Sequence, residues 1–189
     1  MNYPTGVKKN ITSSPKVREY KNLGMNLESD INNTNLYYIE KEKAYIYKKP
    51  TPITIAKVDY PSRKEAVIKE AYFKTPSTTD YNGIYKGKYI DFEAKETASL
   101  SFPLSNIHEH QIEHLKKVLE LGGISLLIVR FTKKNITFLL ETKYLISFIN
   151  DSNRKSIPYE YFNEYGYIIK DKFNPRVDYL SIIDNLMEE

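Results

Sequence analysis

The residues best suited to chemistry lie in one stretch, Thr78 to Lys95, which contains Asp80, Glu93 and Lys95. Carboxylate oxygens are natural ligands of Mg²⁺, which takes one or two protein carboxylates and leaves its other positions to water and substrate phosphate. Asp80 and Glu93 could hold such an ion. Lys95, two residues past Glu93, reaches the same place, where an ammonium orients a water or offsets charge building on phosphorus. Spacing alone leaves a second reading open: acids and a lysine alternating on a strand also make a solvated face with cross-strand charge pairs.

The elements that must position these groups follow from local pattern. Lys86-Gly87 sits between two runs rich in aromatic and β-branched residues, which signals a hairpin. In its second arm Ile90, Phe92 and Ala94 share one face, and Asp91, Glu93 and Lys95 the other. Asp80 precedes the hairpin, beside a turn predicted at Asn82-Gly83, and can approach the acidic face from the neighbouring strand. Downstream, Asn106 and Glu109 predict a capping box for a helix that runs to about Leu121 and stops at Gly122-Gly123. Gln111, Leu115 and Val118 share its inward face with Ile107. A buried amide at Gln111 needs partners, and a metal or its bound water would serve. His110 and His114, four apart, could share zinc, but no cysteine or acidic cluster completes the set. With His108 they are better read as partly exposed groups near phosphates.

The remaining elements read as follows. A helix spans roughly Met25 to Ile39, although Asn32-Asn33-Thr34-Asn35 is a poor interior. Strands are predicted at Ala44–Lys48 and Ile53–Tyr60, joined by the extended Lys48-Lys49-Pro50-Thr51-Pro52 link. Ser62 to Phe73 is a helix, by the Ser62/Glu65 capping pattern, or a strand returning along Ile53–Tyr60. Thr97 to Leu104 is a polar loop. Ile124–Arg130 suits a central strand, Asn135–Leu140 another strand, Thr142–Ile149 a helix, Gly166–Ile169 an edge segment, and Pro175 the start of a last helix.

With 189 residues, 41% hydrophobic and 28% charged, one globular domain is predicted. Absence of cysteine excludes disulfides and thiolate metal sites. No apolar run spans a membrane and no signal-peptide core opens the chain, so a soluble, cytoplasmic protein with no membrane partner is predicted. The net charge of +4 permits a nucleic-acid partner. Residues 1–22 carry Lys8, Lys9, Lys16, Arg18 and Lys21 against one acid, Glu19, and read as a flexible basic arm. No Gly-rich phosphate loop is present, so ATP is not implied.

Asp80 with Glu93-Ala94-Lys95 resembles the D…(D/E)-x-K signature of restriction-endonuclease-like nucleases. Longer words are more specific: Lys48-Lys49-Pro50-Thr51-Pro52, Glu70-Ala71-Tyr72-Phe73, Ser77 to Gly83, Tyr89 to Thr97, Ser101-Phe102-Pro103-Leu104, His110-Gln111-Ile112 and Arg154-Lys155-Ser156-Ile157. Together, from about Gly24 to about Leu186, they resemble the RecU family of Holliday junction resolvases.

That resemblance implies an α/β fold in which a mixed central sheet is flanked by helices, with a protruding basic stalk at roughly 53–76 within a single nuclease domain, 23–189. It implies Mg²⁺, with Mn²⁺ able to substitute, held by Asp80 and Glu93 with Thr78 and Gln111, and Lys95 as transition-state stabiliser. Glu28, on the early helix, is implied beside the site, where it would help a metal-bound water or a second ion. Lys48, Lys49, Lys57, Arg63, Lys64, Lys69, Lys74 and Arg154 become the DNA-contacting set. The implied partners are four-way junction DNA, a second copy in a homodimer, and recombinase and branch-migration proteins. A duplex-specific nuclease of the same fold and a non-catalytic regulator of recombinase filaments are the competing readings.

Overall fold

Sequence alternation and helical periodicity resolve into a layered α/β arrangement in the computed structural model, which describes residues 26–74 and 77–188. The predicted arm at 1–22 lies outside the described residues. The elements in order are α1 (Leu27–Glu40), β1 (Tyr45–Lys48), β2 (Ile53–Asp59), β3 (Val67–Phe73), β4 (Tyr81–Tyr85), β5 (Lys88–Thr97), β6 (Ser101–Pro103), α2 (Glu109–Glu120), β7 (Ile124–Phe131), β8 (Ile136–Glu141), α3 (Thr142–Asp151), β9 (Ser156–Pro158), α4 (Tyr159–Tyr165), β10 (Tyr167–Ile169) and α5 (Leu180–Glu188).

Six strands form one mixed sheet in the order β1-β4-β5-β7-β8-β10. Its one parallel pair is β5 with β7; the other neighbours are antiparallel. A parallel pair needs a crossover, and α2 lies within it. On one face Phe92, Leu126 and Ile128 pack with Ile31 of α1 and Ile183 of α5. On the other, Leu127 and Val129 pack with Leu115 of α2, Leu145 of α3 and Phe162 of α4. The sheet is covered on both sides, as the apolar run of β7 predicts.

The β4–β5 hairpin turns at Lys86 (φ 47°) and Gly87 (φ 76°), the paired positive φ values of a type I′ turn. The turn predicted at Asn82-Gly83 is absent, because both residues lie inside β4. Gly83 is needed for close approach instead: a Cβ there would meet the Tyr45 carbonyl oxygen of β1 at 2.0 Å.

One open alternative is decided and two expectations are corrected. Ser62 donates to Glu65 within a turn, and of the two readings of 62–73 the strand holds, as Val67–Phe73. Residues 101–103 of the predicted loop form β6, which pairs with β9 around buried Phe102 and Ile157. Pro175 does not open the last helix, which begins at Leu180. Segment 171–179 is drawn onto α1 instead: Val177 N–H donates to Thr34 Oγ1 at 3.1 Å, and the Tyr179 hydroxyl donates to Asn35. Those bonds explain how polar Thr34 and Asn35 sit buried within a helix that their propensities disfavour.

The β2–β3 hairpin stands apart. Its strands pair only with each other, and every residue in them is exposed. Ile53, Ile55, Val58, Val67, Ile68, Tyr72 and Phe73 all face solvent, at 43% to 86% exposure. No helix of the described residues is long and apolar enough to cross a membrane.

Candidate active site

Strand pairing builds the site. Register matches Tyr81 to Phe92 and Asn82 to Asp91, so Asp80 falls beside Glu93 on the face that α2 covers. The Asp80 backbone N–H donates to Glu93 Oε2 at 3.0 Å. Lys95 Nζ lies 2.6 Å from Glu93 Oε1. Gln111 Nε2 donates to Glu93 Oε2 at 2.8 Å. Asp80, Glu93, Lys95 and Gln111 therefore meet. The solvated-face reading is excluded: Glu93 and Asp91 are fully buried.

Gln111 is held at both ends. Its Oε1 accepts the His108 backbone N–H at 2.9 Å. The helix start is thus capped at His108, two residues later than the predicted Asn106 box, because the Gln111 side chain reaches back to satisfy an orphan donor. With its oxygen so engaged, Gln111 turns its amide N–H toward Glu93.

Electrostatics mark the pair as unbalanced. Burial, and the Asp80 carboxyl beside it, push Glu93 up to about 7 against the pull of Lys95. Tyr81 stacks on Phe92 with ring centroids 4.8 Å apart. Burial, then the carboxylates of Glu28, Asp80 and Glu93, push its hydroxyl well above the usual phenol range. Glu28 is therefore within electrostatic reach of Tyr81, and its carboxylate pairs with Lys48 Nζ at 2.7 Å. Thr78 and Asp80 open onto a pocket of about 200 Å³ that Lys48 and Lys49 also line. Two carboxylates with a single ammonium in a low-dielectric setting fit a divalent cation, whose charge would relieve their repulsion.

One strand pleat earlier, Asp91 anchors a second set of contacts. Thr79 Oγ1 donates to Asp91 Oδ1, and Tyr89 OH donates to Oδ2 at 2.8 Å. Lys49 Nζ lies 2.8 Å from Oδ2 and donates to Thr79 Oγ1 at 3.1 Å. His114 Nε2 completes the set at 3.0 Å. Lys49, predicted to meet DNA, is spent on a buried carboxylate. His114 faces Asp91, and His108 stacks on His110. The described residues hold no group of three or more His, Cys, Asp or Glu arranged for a metal such as zinc. Sequence reasoning assigned no role to Asp91 and did not single out Thr79 or Tyr89. A signal was available: Asp91/Glu93 are two apart on a strand, and Gln111/His114 three apart on a helix, so each pair shares a face.

The other predicted DNA contacts lie elsewhere. Lys57, Arg63, Lys64, Lys69 and Lys74 are exposed on the β2–β3 hairpin, its tip and its base, with Lys69 3.4 Å from Asp59. Arg154 is exposed beyond α3, at the rim of a tyrosine-lined pocket that also holds Asp151, Glu160 and Glu164.

A mixed sheet that carries a carboxylate pair and an adjoining lysine on one helix-covered face is the framework of a nuclease. The family model described as Recombination protein U matches residues 22–185. A protein of Oceanobacillus iheyensis named Holliday junction resolvase RecU is 52% identical, covering 98% of this chain and 99% of its own length. One of the same name from Bacillus cereus is 50% identical, over 97% and 96%. The chain belongs to the RecU family. The solved structure of Archaeoglobus fulgidus Hjc, described as a Holliday junction resolvase, is similar at 12% identity and a TM-score of 0.43, covering 71% of this chain and 89% of that one.

Proposed function

We infer that the chain is a Holliday junction resolvase, an endonuclease that nicks four-way DNA junctions by metal-dependent hydrolysis of phosphodiesters. The observation that carries the site assignment is the meeting of Asp80, Glu93 and Lys95, with Lys95 Nζ 2.6 Å from a fully buried Glu93. Asp80 and Glu93 would hold Mg²⁺, or Mn²⁺ in its place, with Thr78 directly or through water. When bound, the ion supplies a Lewis acid and a water of lowered pKa.

The chain's own groups do the rest. Gln111 holds Glu93 through its amide N–H and fixes the carboxylate plane. Lys95 pulls Glu93 toward its ionised form against burial, then offsets charge on the attacked phosphate or orients the incoming water. Glu28 adds negative charge at the rim and is positioned by Lys48.

Substrate geometry fits the exposed hairpin. Its basic residues suit the phosphate-lined centre of a junction, where backbone contacts give affinity and DNA shape gives selectivity. Its apolar side is unsuited to water. By register Ile53 with Phe73 and Ile55 with Ala71 share one face. A lone two-stranded hairpin is marginal in water, so cover from a second copy is favoured. A two-fold dimer would present two sites for paired symmetric nicks. Such a protein would work on DNA in the cytoplasm.

The test is cleavage of a mobile four-way junction against linear duplex with Mg²⁺. Junction cleavage should dominate. Glu93→Ala should lower it by about 10³-fold or more, by analogy with the loss of one preorganised charge-stabilising group, and leave junction binding nearly unaltered. Survival of cleavage in Glu93→Ala sinks the site, and preference for linear duplex sinks the junction reading.

A further inference from the structure

We propose that Asp91, with Thr79, Lys49 and His114, is a positioning network that keeps the Thr78–Asp80 segment and α2 registered against β5 while Glu93 turns its oxygens to a cation. This rests on reading Asp80 and Glu93 as the metal-holding pair.

The two acids of β5 grip the same two neighbours. Glu93 holds the Asp80 backbone N–H at 3.0 Å and Gln111 of α2 at 2.8 Å. Asp91 holds Thr79, one residue before Asp80, and His114, one helical turn past Gln111, the latter at 3.0 Å. The segment and the helix are therefore each fastened at two successive levels of one strand face.

The levels differ in what they leave free. Asp91 meets four donors: Thr79 on Oδ1, and Lys49, Tyr89 and His114 on Oδ2. A carboxylate has about four acceptor sites. Asp91 is therefore engaged through both oxygens, three of its four donors on Oδ2, and is fully buried. Glu93 Oε1 faces only the Lys95 ammonium, and Oε2 accepts two neutral N–H groups. Charge-assisted bonds are the stronger kind; each acid has one, Glu93 from Lys95 and Asp91 from Lys49, and Lys49 also donates to Thr79 of the segment. When Glu93 reorients, its grip on segment and helix loosens and the Asp91 level retains them. Asp80 then stays aligned with Glu93, which tight cation binding needs, since groups behind a ligand set its orientation.

Thr79→Val keeps the shape and removes the hydroxyl, and Thr79→Ser restores it. In the metal-free protein, Thr79→Val should speed amide hydrogen exchange of residues 77–80 roughly tenfold and leave β7 and β8 at parent rates. It should raise the Mg²⁺ concentration for half-maximal single-turnover junction cleavage by about 10- to 100-fold, the usual cost of losing a group behind a ligand. Junction binding without metal should stay within about twofold. Thr79→Ser should return all three values to within about twofold of the parent, and His114→Ala should shift the Mg²⁺ midpoint in the same direction by less. An unmoved midpoint and unmoved exchange in Thr79→Val overturn the proposal. Exchange that rises equally across the sheet overturns it too, because the effect is then general loosening. Glu93→Ala separates the failures: if it still cleaves, the underlying site reading falls as well; if it is inactive while Thr79→Val matches the parent, only the network falls.

Discussion

The two faces of the sheet bury charge in opposite ways. On the α1 face, Asp30 sits between two guanidiniums, Arg130 Nη1 at 2.7 Å and Arg176 Nε at 2.8 Å. Arg130 Nε also donates to Thr137 at 3.0 Å, and Glu96 approaches the same guanidinium at 3.9 Å. On the α2 face, Asp80 and Glu93 share one ammonium, and Glu93 is pushed up to about 7 by burial and by its neighbour. In the first cluster Asp30 itself is matched by two cations, with Glu96 and Asp171 each 3.9 Å from Arg130 at its margin, and the set stitches α1 to β7 and the C-terminal segment. The second is short of positive charge. A buried polar group with its partners in place is architecture, whereas one held against its own preference marks a place for a ligand.

The largest effect that could break this comparison concerns the matched cluster. Asp30→Ala takes from both guanidiniums their closest carboxylate and leaves Arg130 only Glu96 and Asp171, each at 3.9 Å. It should lose about 3–5 kcal/mol in urea unfolding, the typical cost of removing one partner of a buried ion pair. Cleavage per folded molecule should hold. A loss below about 1 kcal/mol would mean that the cluster is not what binds α1 to the sheet.

The next effect sharpens the unmatched cluster. The folded Glu93 carboxyl ionises near pH 7 rather than near its ordinary 4.5. The folded state therefore retains its proton where the unfolded chain has lost it. This contribution is complete below about pH 4.5 and fades as pH rises, reaching about 3 kcal/mol of loss by pH 7 and levelling off above. Melts in EDTA should show that fall for the parent and not for Glu93→Gln. Added Mg²⁺ should stabilise the parent more at pH 8 than at pH 5, because it binds the ionised form. Equal pH profiles for parent and Glu93→Gln would remove the distinction between the faces.

The smallest effect lies at the rim. The Lys48–Glu28 pair is solvent-exposed, at 36% and 54%, so Lys48→Ala should change stability by no more than about 1 kcal/mol. If Lys48 also meets a phosphate, the same change lowers the slope of log affinity against log salt by about one, read by titrating junction binding at several salt concentrations.

Much of this site was legible because it depends on local arithmetic. Alternation along 90–95 placed Glu93 and Lys95 together, and the 3.6-residue period put Gln111 with Leu115 and Val118 on an inward helix face. The Lys86-Gly87 turn fixed which residues lie across from which. What escaped was anything decided by a distant partner. Asn106 looked like the better cap, but His108 took the position once Gln111 could bond both its backbone and Glu93. Lys49 carried every mark of a phosphate contact until β1 set it against Asp91. Gly83 read as a turn because a glycine serves close approach as well as reversal. Pro175 read as a helix start, while Asp30, Thr34 and Asn35 held the following segment extended.

The amino-acid order by itself determined the strands and helices with strong periodicity and the acid-rich face of β5. It did so because side-chain direction in a strand or helix is fixed by backbone geometry within a few residues. The tertiary structure decided the rest: that Glu93 is fully buried beside Asp80 while Asp91 meets donors from four positions, and that Asp30 rather than Glu93 is the balanced acid. Ionisation and hydrogen bonding depend on everything within a few ångströms, and those neighbours come from other elements: Thr79 is 12 residues from Asp91, Gln111 is 18 from Glu93, and Arg130 is 100 from Asp30.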